Sequence, residues 1–460
     1  MTTTASIRNF IIALFVCSFA TVEMCAQNST ASPYSMFGVG MPAHKEDAVS
    51  AGMGHASIAL APSQWLNVGN PAGINNLDTL SFYLNFQLQG FYARNETLSN
   101  YDGQSVYSGN IDGIAMGFRA RHWLAFCFGY APQTSVGYRF YDTRNIAGST
   151  SNYNVRYTGS GGLQQAYFTM AFTAFRRLSL GASFNVSWGS IKRQETALFS
   201  ELGGEDIYNK QKYTLNNVNY ELGAQFYQPI GQNNFRIGVV FSNKRHLYHS
   251  YDHDVSNDIS SSLMHDDDSQ LNGEFYLPRT YGFGFSYNRR KFTAAIDYRK
   301  TEWAKTDNIK FSEYVNFRNN YSIGGGVQYQ AGKLGDPFYK RIQYRAGYYY
   351  RTSYLDMRTG VIAIPNVTDG YYTDGGVFVP NNGSKSYFYY DTGLSDHILD
   401  EHTFTLGLTV PVGRSANVLS LSFEHMERGT YAHGLIYEKY NTIKLAFTVH
   451  ETWFMRSKFD

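Results

Sequence analysis

The stretch GNPAGINNLDTLSFYLNFQLQG, residues 69–90, decides the fold because its pattern changes along its length. It begins with turn-forming residues and then becomes a strict alternation of apolar and polar side chains. The apolar positions of that alternation are Leu80, Phe82, Leu84, Phe86 and Leu88. A period of two predicts a β-strand with one apolar face and one polar face. Two things need explaining: what covers the apolar face, and why a segment rich in small residues precedes it.

The same alternation recurs through the rest of the chain and predicts an all-β protein. We predict about fourteen strands, at residues 80–94, 107–119, 122–141, 153–174, 178–196, 207–228, 233–249, 270–287, 291–303, 318–331, 340–353, 397–411, 416–428 and 437–456. The links between them alternate between short and long, and the longest runs from about Tyr354 to Asp396. Outer-membrane β-barrels have this arrangement, with tight periplasmic turns and long extracellular loops.

A transmembrane antiparallel β-barrel also explains the apolar faces, since they would contact lipid while closure pairs every strand edge. Two soluble folds, a β-sandwich and a β-propeller, are the alternatives. A soluble sandwich does not need aromatic residues at its strand ends. A membrane barrel does, because its strand ends lie at the membrane interface, which favours aromatic side chains. Tryptophans at predicted strand ends are Trp123, Trp188, Trp303 and Trp453. A propeller would give a repeat of about 40 residues, which the chain lacks.

The N-terminus, residues 1–26, has the features of a secretory signal peptide. Arg8 is followed by the apolar run 10–20, and Ala26 is a small residue suited to cleavage before Gln27. Together with the predicted barrel, this places the protein in the bacterial outer membrane. The net charge is only +2 and no basic run occurs, so the sequence indicates no nucleic-acid partner.

Residues 27–79, between the signal peptide and the barrel at 80–460, are predicted to plug the lumen. A barrel of about fourteen strands is too wide for its own side chains to fill. The segment lacks alternation and is rich in small residues, which allow close backbone packing. The alternative is a flexible periplasmic tail, but MFGVGM and IALA within it are apolar for a solvated tail.

The motif NPAG, residues Asn70, Pro71, Ala72 and Gly73, resembles the Asn-Pro-Ala motif of the FadL family of outer-membrane transporters. SMFGVG near the start and WFMRSKFD at the end resemble relatives common in Bacteroidota. The resemblance implies a fourteen-strand barrel with an N-terminal hatch. It also implies passive uptake of fatty-acid-like or aromatic molecules, which would leave sideways through a kinked wall.

Within this resemblance, Asn70, Pro71, Ala72 and Gly73 are candidate gating residues. Pro71 fixes its own φ and Asn70 can bond to local backbone, which would lock the turn. The alternative is a plain turn into the first strand. Glycine within a strand marks a bulge or kink, and the candidate kinks are Gly159, Gly161, Gly162, Gly324, Gly325 and Gly326. Their alternative role is to shape the barrel or to make room for the plug.

The sequence offers little support for an enzyme, a cofactor or a metal site. It contains neither a Gly-x-Ser-x-Gly elbow nor a His-Glu-x-x-His motif. The segment 246–268 is rich in histidine and aspartate, but its spacing fits no metal motif and predicts a solvated loop. The expected partners are therefore outer-membrane lipid, lipopolysaccharide and a hydrophobic small molecule.

A second hypothesis is a PorV-like carrier barrel that acts in protein secretion in Bacteroidota. Exposed aromatic residues often mark a protein-binding surface, and the loop at 354–396 is rich in them. They are Tyr371, Tyr372, Phe378, Tyr387, Phe388, Tyr389 and Tyr390. On this hypothesis a secreted protein is the partner.

Overall fold

The computed structural model of the chain describes most of the sequence after the N-terminus. The described residues are 30–79, 81–97, 100–146, 151–199, 202–260, 263–266, 274–306, 315–332, 336–356, 359–365, 370–372, 378–380, 385–391, 399–412, 416–430 and 435–452. The predicted signal peptide, residues 1–26, lies outside them. No described helix has the length and apolar character needed to cross a membrane.

Strands dominate the described residues, and we number them in chain order. The strands β1 to β25 are Met41–Pro42, Ser81–Thr97, Asn100–Arg121, Leu124–Pro132, Thr134–Asn145, Asn152–Ala174, Leu178–Leu198, Ile207–Ile230, Asn233–Ser242, Arg245–Asn257, Met264–Asp266, Phe275–Leu277, Thr280–Arg289, Phe292–Thr301, Asn316–Phe317, Asn320–Gln330, Gln343–Arg351, Leu355–Asp356, Thr359–Pro365, Gly370–Tyr372, Phe378–Pro380, Lys385–Asp391, Glu401–Pro411, Val418–Arg428 and Tyr437–Thr452. Helical segments among the described residues include α1 (Ala48–Ala51), α2 (Phe338–Arg341) and the 3₁₀ turns at Pro33–Met36, Pro71–Asn76 and Trp303–Lys305.

The large sheet closes on itself, because β2 pairs antiparallel with β25 as well as with β3. Each neighbouring pair around the ring is also antiparallel. Three of the transmembrane strands are interrupted, and each consists of two pieces in sequence: β4 with β5, β9 with β10, and β12 with β13. Counted in this way the barrel has fourteen strands, as the alternation predicts.

The barrel is apolar outside and polar inside. On β7, Phe184 and Val186 point outward and are exposed, while Asn185 and Ser187 point inward and are buried. The outward positions of the other strands repeat this pattern, with Leu222, Ile237, Phe283, Ile296, Ile323, Phe404, Leu421 and Ile443 all exposed. A closed barrel with an outward apolar belt is the architecture of the bacterial outer membrane. The apolar faces of the strands therefore form the outer surface of the barrel.

The N-terminal segment, residues 30–77, packs against the inward face of this wall. All residues of 46–60 and 65–75 are buried. Wall glycines allow the approach: a Cβ on Gly181 would lie 2.3 Å from the carbonyl carbon of Pro71, and one on Gly324 would lie 2.1 Å from the carbonyl oxygen of Gly54. A larger side chain at either wall position would push the segment away.

An aromatic cluster fills the lumen toward the long loops. Trp303 is only 3% exposed and stacks on Tyr354 with ring centroids 4.7 Å apart. Tyr34 and Phe37 of the N-terminal segment belong to the same buried cluster. The expectation that Trp303 lies at the lipid interface is therefore wrong, because the ring turns inward after β14. Trp123 and Trp188 are exposed, and Trp453 lies outside the described residues.

The wall is distorted where β4 ends and β5 begins. Gln133 belongs to neither strand, and its N–H donates to the carbonyl of Leu163 on β6 at 2.8 Å. Next to this break, Gly161 and Gly162 have φ of +110° and +133°, values that L-residues rarely adopt. A Cβ on Gly162 would lie 2.3 Å from the carbonyl oxygen of Thr134. Glycine at these positions therefore permits the break in the third transmembrane strand.

We expect Gly162→Ala to destabilise the barrel by several kcal/mol. The backbone conformation alone costs about 1–3 kcal/mol for a residue with a Cβ, and the clash with Thr134 adds to it. The measurement is the midpoint of urea-induced unfolding of the purified protein. Folded and unfolded barrel are distinguished by their different migration on gels before and after heating. Gly90→Ala is the matched control, because a Cβ on Gly90 would lie 3.9 Å from its nearest neighbour, the carbonyl oxygen of Ser108. Equal midpoints for the two variants would contradict the prediction.

Candidate functional site

Asn70 connects the N-terminal segment to the barrel wall. Its Oδ1 accepts a hydrogen bond from the N–H of Ala72 at 3.0 Å and so caps the turn Pro71–Asn76. Its Nδ2 donates to the carbonyl of Ile58 at 2.8 Å. The same amide also reaches two wall carbonyls at 3.3 Å, those of Ala224 on β8 and Val239 on β9. Asn70 is fully buried, so in the described part of the chain these hydrogen bonds satisfy its amide.

The rest of the motif packs closely around this side chain. Pro71 begins the 3₁₀ turn and lies against Gly181, while Ala72 is 1% exposed. A Cβ on Gly73 would lie 3.1 Å from the carbonyl oxygen of Leu60. The four residues therefore form one buried corner that contacts both the segment and the wall.

A second connection is ionic and lies on β14. The Oδ2 of Asp297 accepts hydrogen bonds from the backbone N–H groups of Ser57 at 2.6 Å and Ile58 at 2.8 Å. Two residues on, Arg299 donates to Oε1 of Glu46 at 2.7 Å and to Oγ of Ser57 at 2.9 Å. Hydrogen bonds to charged groups are the stronger kind, so β14 holds the middle of the segment firmly.

The polar groups of the segment are strongly perturbed by this burial. Although burial opposes ionisation, the Arg299 guanidinium and then His44 hold the pKa of Glu46 well below its usual range. Burial and then the neighbouring His55 lower the pKa of His44 to about 4. At neutral pH the segment therefore carries an ionised Glu46 beside a neutral His44 imidazole. Among the described residues, His44, Glu46 and His55 form the group suited to a metal ion.

The wall is open between β3 and β5. β3 pairs with β4 only over Ile114–Arg121, and the other edge of β5 pairs with β1, through Ser135 to Met41 and Thr134 to Pro42. In the described residues no ladder joins the 100–113 part of β3 to β5. The N-terminal segment thus replaces β3 as the partner of β5, and a cleft remains in the loop-side half of the barrel.

A cavity of about 1580 Å³ occupies this cleft. One wall carries apolar and small residues of β2 and β3, including Phe91, Val106, Tyr107 and Gly109. Thr30 and Ala31, at the start of the described segment, also line the cavity. The cleft therefore connects the outer surface of the barrel with the N-terminal segment.

The opposite wall of the cleft is strongly basic. It is lined by Arg139, Arg156, Lys192, Arg193, Lys210 and Lys212. Two carboxylates, Asp252 and Asp254, also line it, in register with Lys212 and Lys210 across the β8–β10 pair. Cations outnumber anions, so the cleft offers an apolar wall facing a positive one. Such a pair of walls suits a molecule with an apolar body and an anionic end.

The candidate glycine kinks fall into two different environments. Gly159, Gly161 and Gly162 lie beside the break in the third transmembrane strand, and Gly159 and its neighbour Ser160 line the cleft. Gly324, Gly325 and Gly326 lie in β16, whose register to β14 and β17 runs without a shift. None of these three has a positive φ, and Gly324 and Gly326 contact Gly54 and Met53. Their visible role is to make room for the segment.

A family model and several solved structures match this chain. The family model described as BamG matches residues 6–371 and 372–460. The structure resembles a FadL homologue from Pseudomonas aeruginosa, with TM-score 0.54 and 11% identity over 90% of this chain and 99% of that chain. It also resembles the toluene transporter TbuX of Ralstonia pickettii (TM-score 0.53, 13% identity, 88% of this chain and 98% of that chain). The monoaromatic hydrocarbon channel CymD matches with TM-score 0.52 and 15% identity over 88% and 97% of the two chains.

These likenesses are at the level of fold, and they confirm the FadL-like barrel that the sequence predicts. A search of curated proteins gave no match.

Proposed function

The chain belongs to the BamG family, and on that premise we propose that it is an outer-membrane channel for passive entry of small hydrophobic molecules. The observation that carries the proposal is the cleft between β3 and β5, which opens through the wall of a barrel whose lumen holds the N-terminal segment. A molecule that partitions into the outer leaflet would enter the cleft sideways and reach the segment without crossing bulk water. The proposal assigns no catalytic role to the chain.

The lining of the cleft favours an amphiphile over a plain hydrocarbon. Lys192, Lys212 and Arg139 on one side suit a carboxylate, while Phe91 and Val106 on the other suit an alkyl chain. The structural neighbours are described as transporters of toluene, as a channel for monoaromatic hydrocarbons and as a FadL homologue. Of the two ligand classes that the sequence suggests, the basic wall supports fatty-acid-like molecules more than aromatic ones.

The direct test is uptake by cells that lack their own fatty-acid channel. We expect the full-length chain to raise the entry of a labelled long-chain fatty acid above that of cells with an empty vector. A fatty alcohol of the same length has no charge to meet the basic wall, and we expect a smaller gain for it. Equal entry with and without the protein, at matched surface expression, would contradict the proposal.

Gating is assigned to Asn70, Pro71, Ala72 and Gly73. Support comes from the position of Asn70, whose amide is shared between the segment and two wall carbonyls. Movement of this corner would release the segment from β8 and β9 together. The corner would therefore hold the segment in place until a ligand displaces it.

We expect Asn70→Ala to loosen this corner by about 1–3 kcal/mol, the cost of leaving buried polar groups without partners. The measurement is hydrogen exchange in peptides that cover residues 67–77, where exchange should rise. Asn70→Asp should be no better than alanine, because a carboxylate cannot donate to three carbonyls. The exposed Asn76 gives the control, Asn76→Ala. Unchanged exchange in Asn70→Ala would remove the motif from the gating scheme.

Outer-membrane lipid and lipopolysaccharide remain expected partners because the outward belt is apolar and exposed. The alternative, a carrier for a secreted protein, relies on aromatic residues in the loop at 354–396. The side chains of those residues lie outside the described part of the structure. No observation of the described residues favours the carrier role over the channel.

A further inference from the structure

The N-terminal segment contains a compact group of metal-ligand side chains that the channel function does not use. One ligand atom from each of His44, Glu46 and His55 lies within 4.8 Å of the others. The two imidazole rings stack with centroids 3.8 Å apart and an interplanar angle of 18°. Glu46 and His55 are 5% and 4% exposed. Two imidazoles and a carboxylate form a ligand set that binds Zn²⁺ in proteins.

Atoms of these side chains that can bind a metal remain without a strong hydrogen bond among the described residues. His55 has one ring nitrogen, Nε2, 3.5 Å from Oε2 of Glu424, while its buried Nδ1 has no hydrogen-bond partner among the described residues. A histidine that ligates a metal typically directs its second nitrogen to a carboxylate. Glu46 is oriented in a similar way, because Arg299 and Ser57 contact its Oε1 while its Oε2 lies 3.6 Å from Nδ1 of His44.

The backbone at His55 is also held in an uncommon conformation. Its φ is +59°, in the left-handed region that residues other than glycine seldom occupy. Such conformations cluster at ligand-binding and active sites. A cavity of about 250 Å³ is lined by all three side chains and has room for a metal ion and a water ligand.

We propose that His44, Glu46 and His55 bind a divalent transition metal, with Zn²⁺ as the ion that the ligand set suits best. In a tetrahedral zinc site the ligand atoms are about 3.4 Å apart. The two stacked rings would therefore rotate out of their parallel arrangement so that a lone pair of each points at the ion. The metal would link the residues on the two sides of α1. Through Arg299 and Glu424 it would also couple the segment to β14 and β24.

The test uses the full-length protein in detergent, without a histidine tag and after treatment with a chelator. We expect Zn²⁺ titration by calorimetry to give one ion per chain, and Co²⁺ to give a visible absorption band typical of tetrahedral coordination. Zinc-edge X-ray absorption on the unmodified chain should show two imidazole ligands. Absence of a bound ion, or a zinc environment without imidazole, would overturn the proposal.

Substitutions at the proposed ligands test whether the ion binds at this site. Loss of an outer-shell partner typically costs about tenfold or more in metal affinity, so loss of a ligand in His44→Gln or His55→Asn should weaken Zn²⁺ binding by at least that factor. Asparagine tolerates the left-handed backbone at position 55. His122→Gln is the control, since His122 is exposed in the turn between β3 and β4. Binding lost in His122→Gln but kept in both site variants would mean an adventitious surface ion and would overturn the proposal. If either site variant fails to fold, the X-ray absorption result on the unmodified chain decides.

Discussion

Asp297→Ala is expected to turn the barrel into a leaky pore. In the native protein a single carboxylate oxygen of Asp297 accepts the N–H groups of both Ser57 and Ile58, and Asp297 is 4% exposed. Alanine leaves those two N–H groups buried without partners. Loss of two hydrogen bonds to a charged group costs about 3–6 kcal/mol, and this loss loosens the middle of the segment from β14. A fourteen-strand lumen without its segment is wide enough to pass water and ions.

The measurement is conductance of the purified protein in planar lipid bilayers, supported by sensitivity of cells to a large hydrophilic antibiotic. Asp297→Asn provides a matched control. One oxygen serves both N–H groups, so an amide oxygen can replace it, and conductance should stay close to that of the native protein. Ile296→Ala, on the outward face of the same strand, controls for damage to β14. If Asp297→Ala conducts no better than these controls, other contacts hold the segment.

The alternation of side chains was sufficient to predict the barrel, because each transmembrane strand must present one face to lipid. The predicted strand at 178–196 is observed at Leu178–Leu198, and that at 416–428 is observed at Val418–Arg428. The pattern could not show that the strand predicted at 122–141 breaks at Gln133. That break depends on the partner strand, where Gly161 and Gly162 adopt positive φ.

The candidate site was less predictable because it depends on contacts between distant parts of the chain. The cleft exists because β5 pairs with Met41–Pro42 instead of with β3, and both are suitable edges by local pattern. The basic wall is formed by lysines and arginines of four separate strands, and no local sequence pattern indicates that these residues come together. His44 and His55 meet only because the chain turns through α1 and a left-handed residue follows. By contrast, the position of the NPAG motif before the first barrel strand was enough to mark Asn70 as a candidate gating residue.

Gly109→Trp is expected to reduce fatty-acid uptake to nearly the background of cells without the protein. Gly109 lies on β3 opposite Gly90, and both line the cleft. A Cβ at Gly109 would have 3.4 Å to its nearest neighbour, the carbonyl oxygen of Gln89. An indole can therefore be introduced without breaking the strand. Because Gly109 shares the outward face with Gly90 and Ile443, which also line the cavity, the indole would cover the outer mouth of the cleft. Covering the mouth of the cleft acts on passage and leaves the segment anchored.

The matched control is Leu222→Trp, which places the same side chain on the lipid-facing surface of β8 away from the cleft. It should leave uptake unchanged at equal surface expression. Conductance separates Gly109→Trp from Asp297→Ala, because the first should stay closed to ions while the second should open. If Gly109→Trp took up fatty acid as well as Leu222→Trp does, the ligand would have to enter by another route. The sideways opening would then be a feature of the wall without a role in transport.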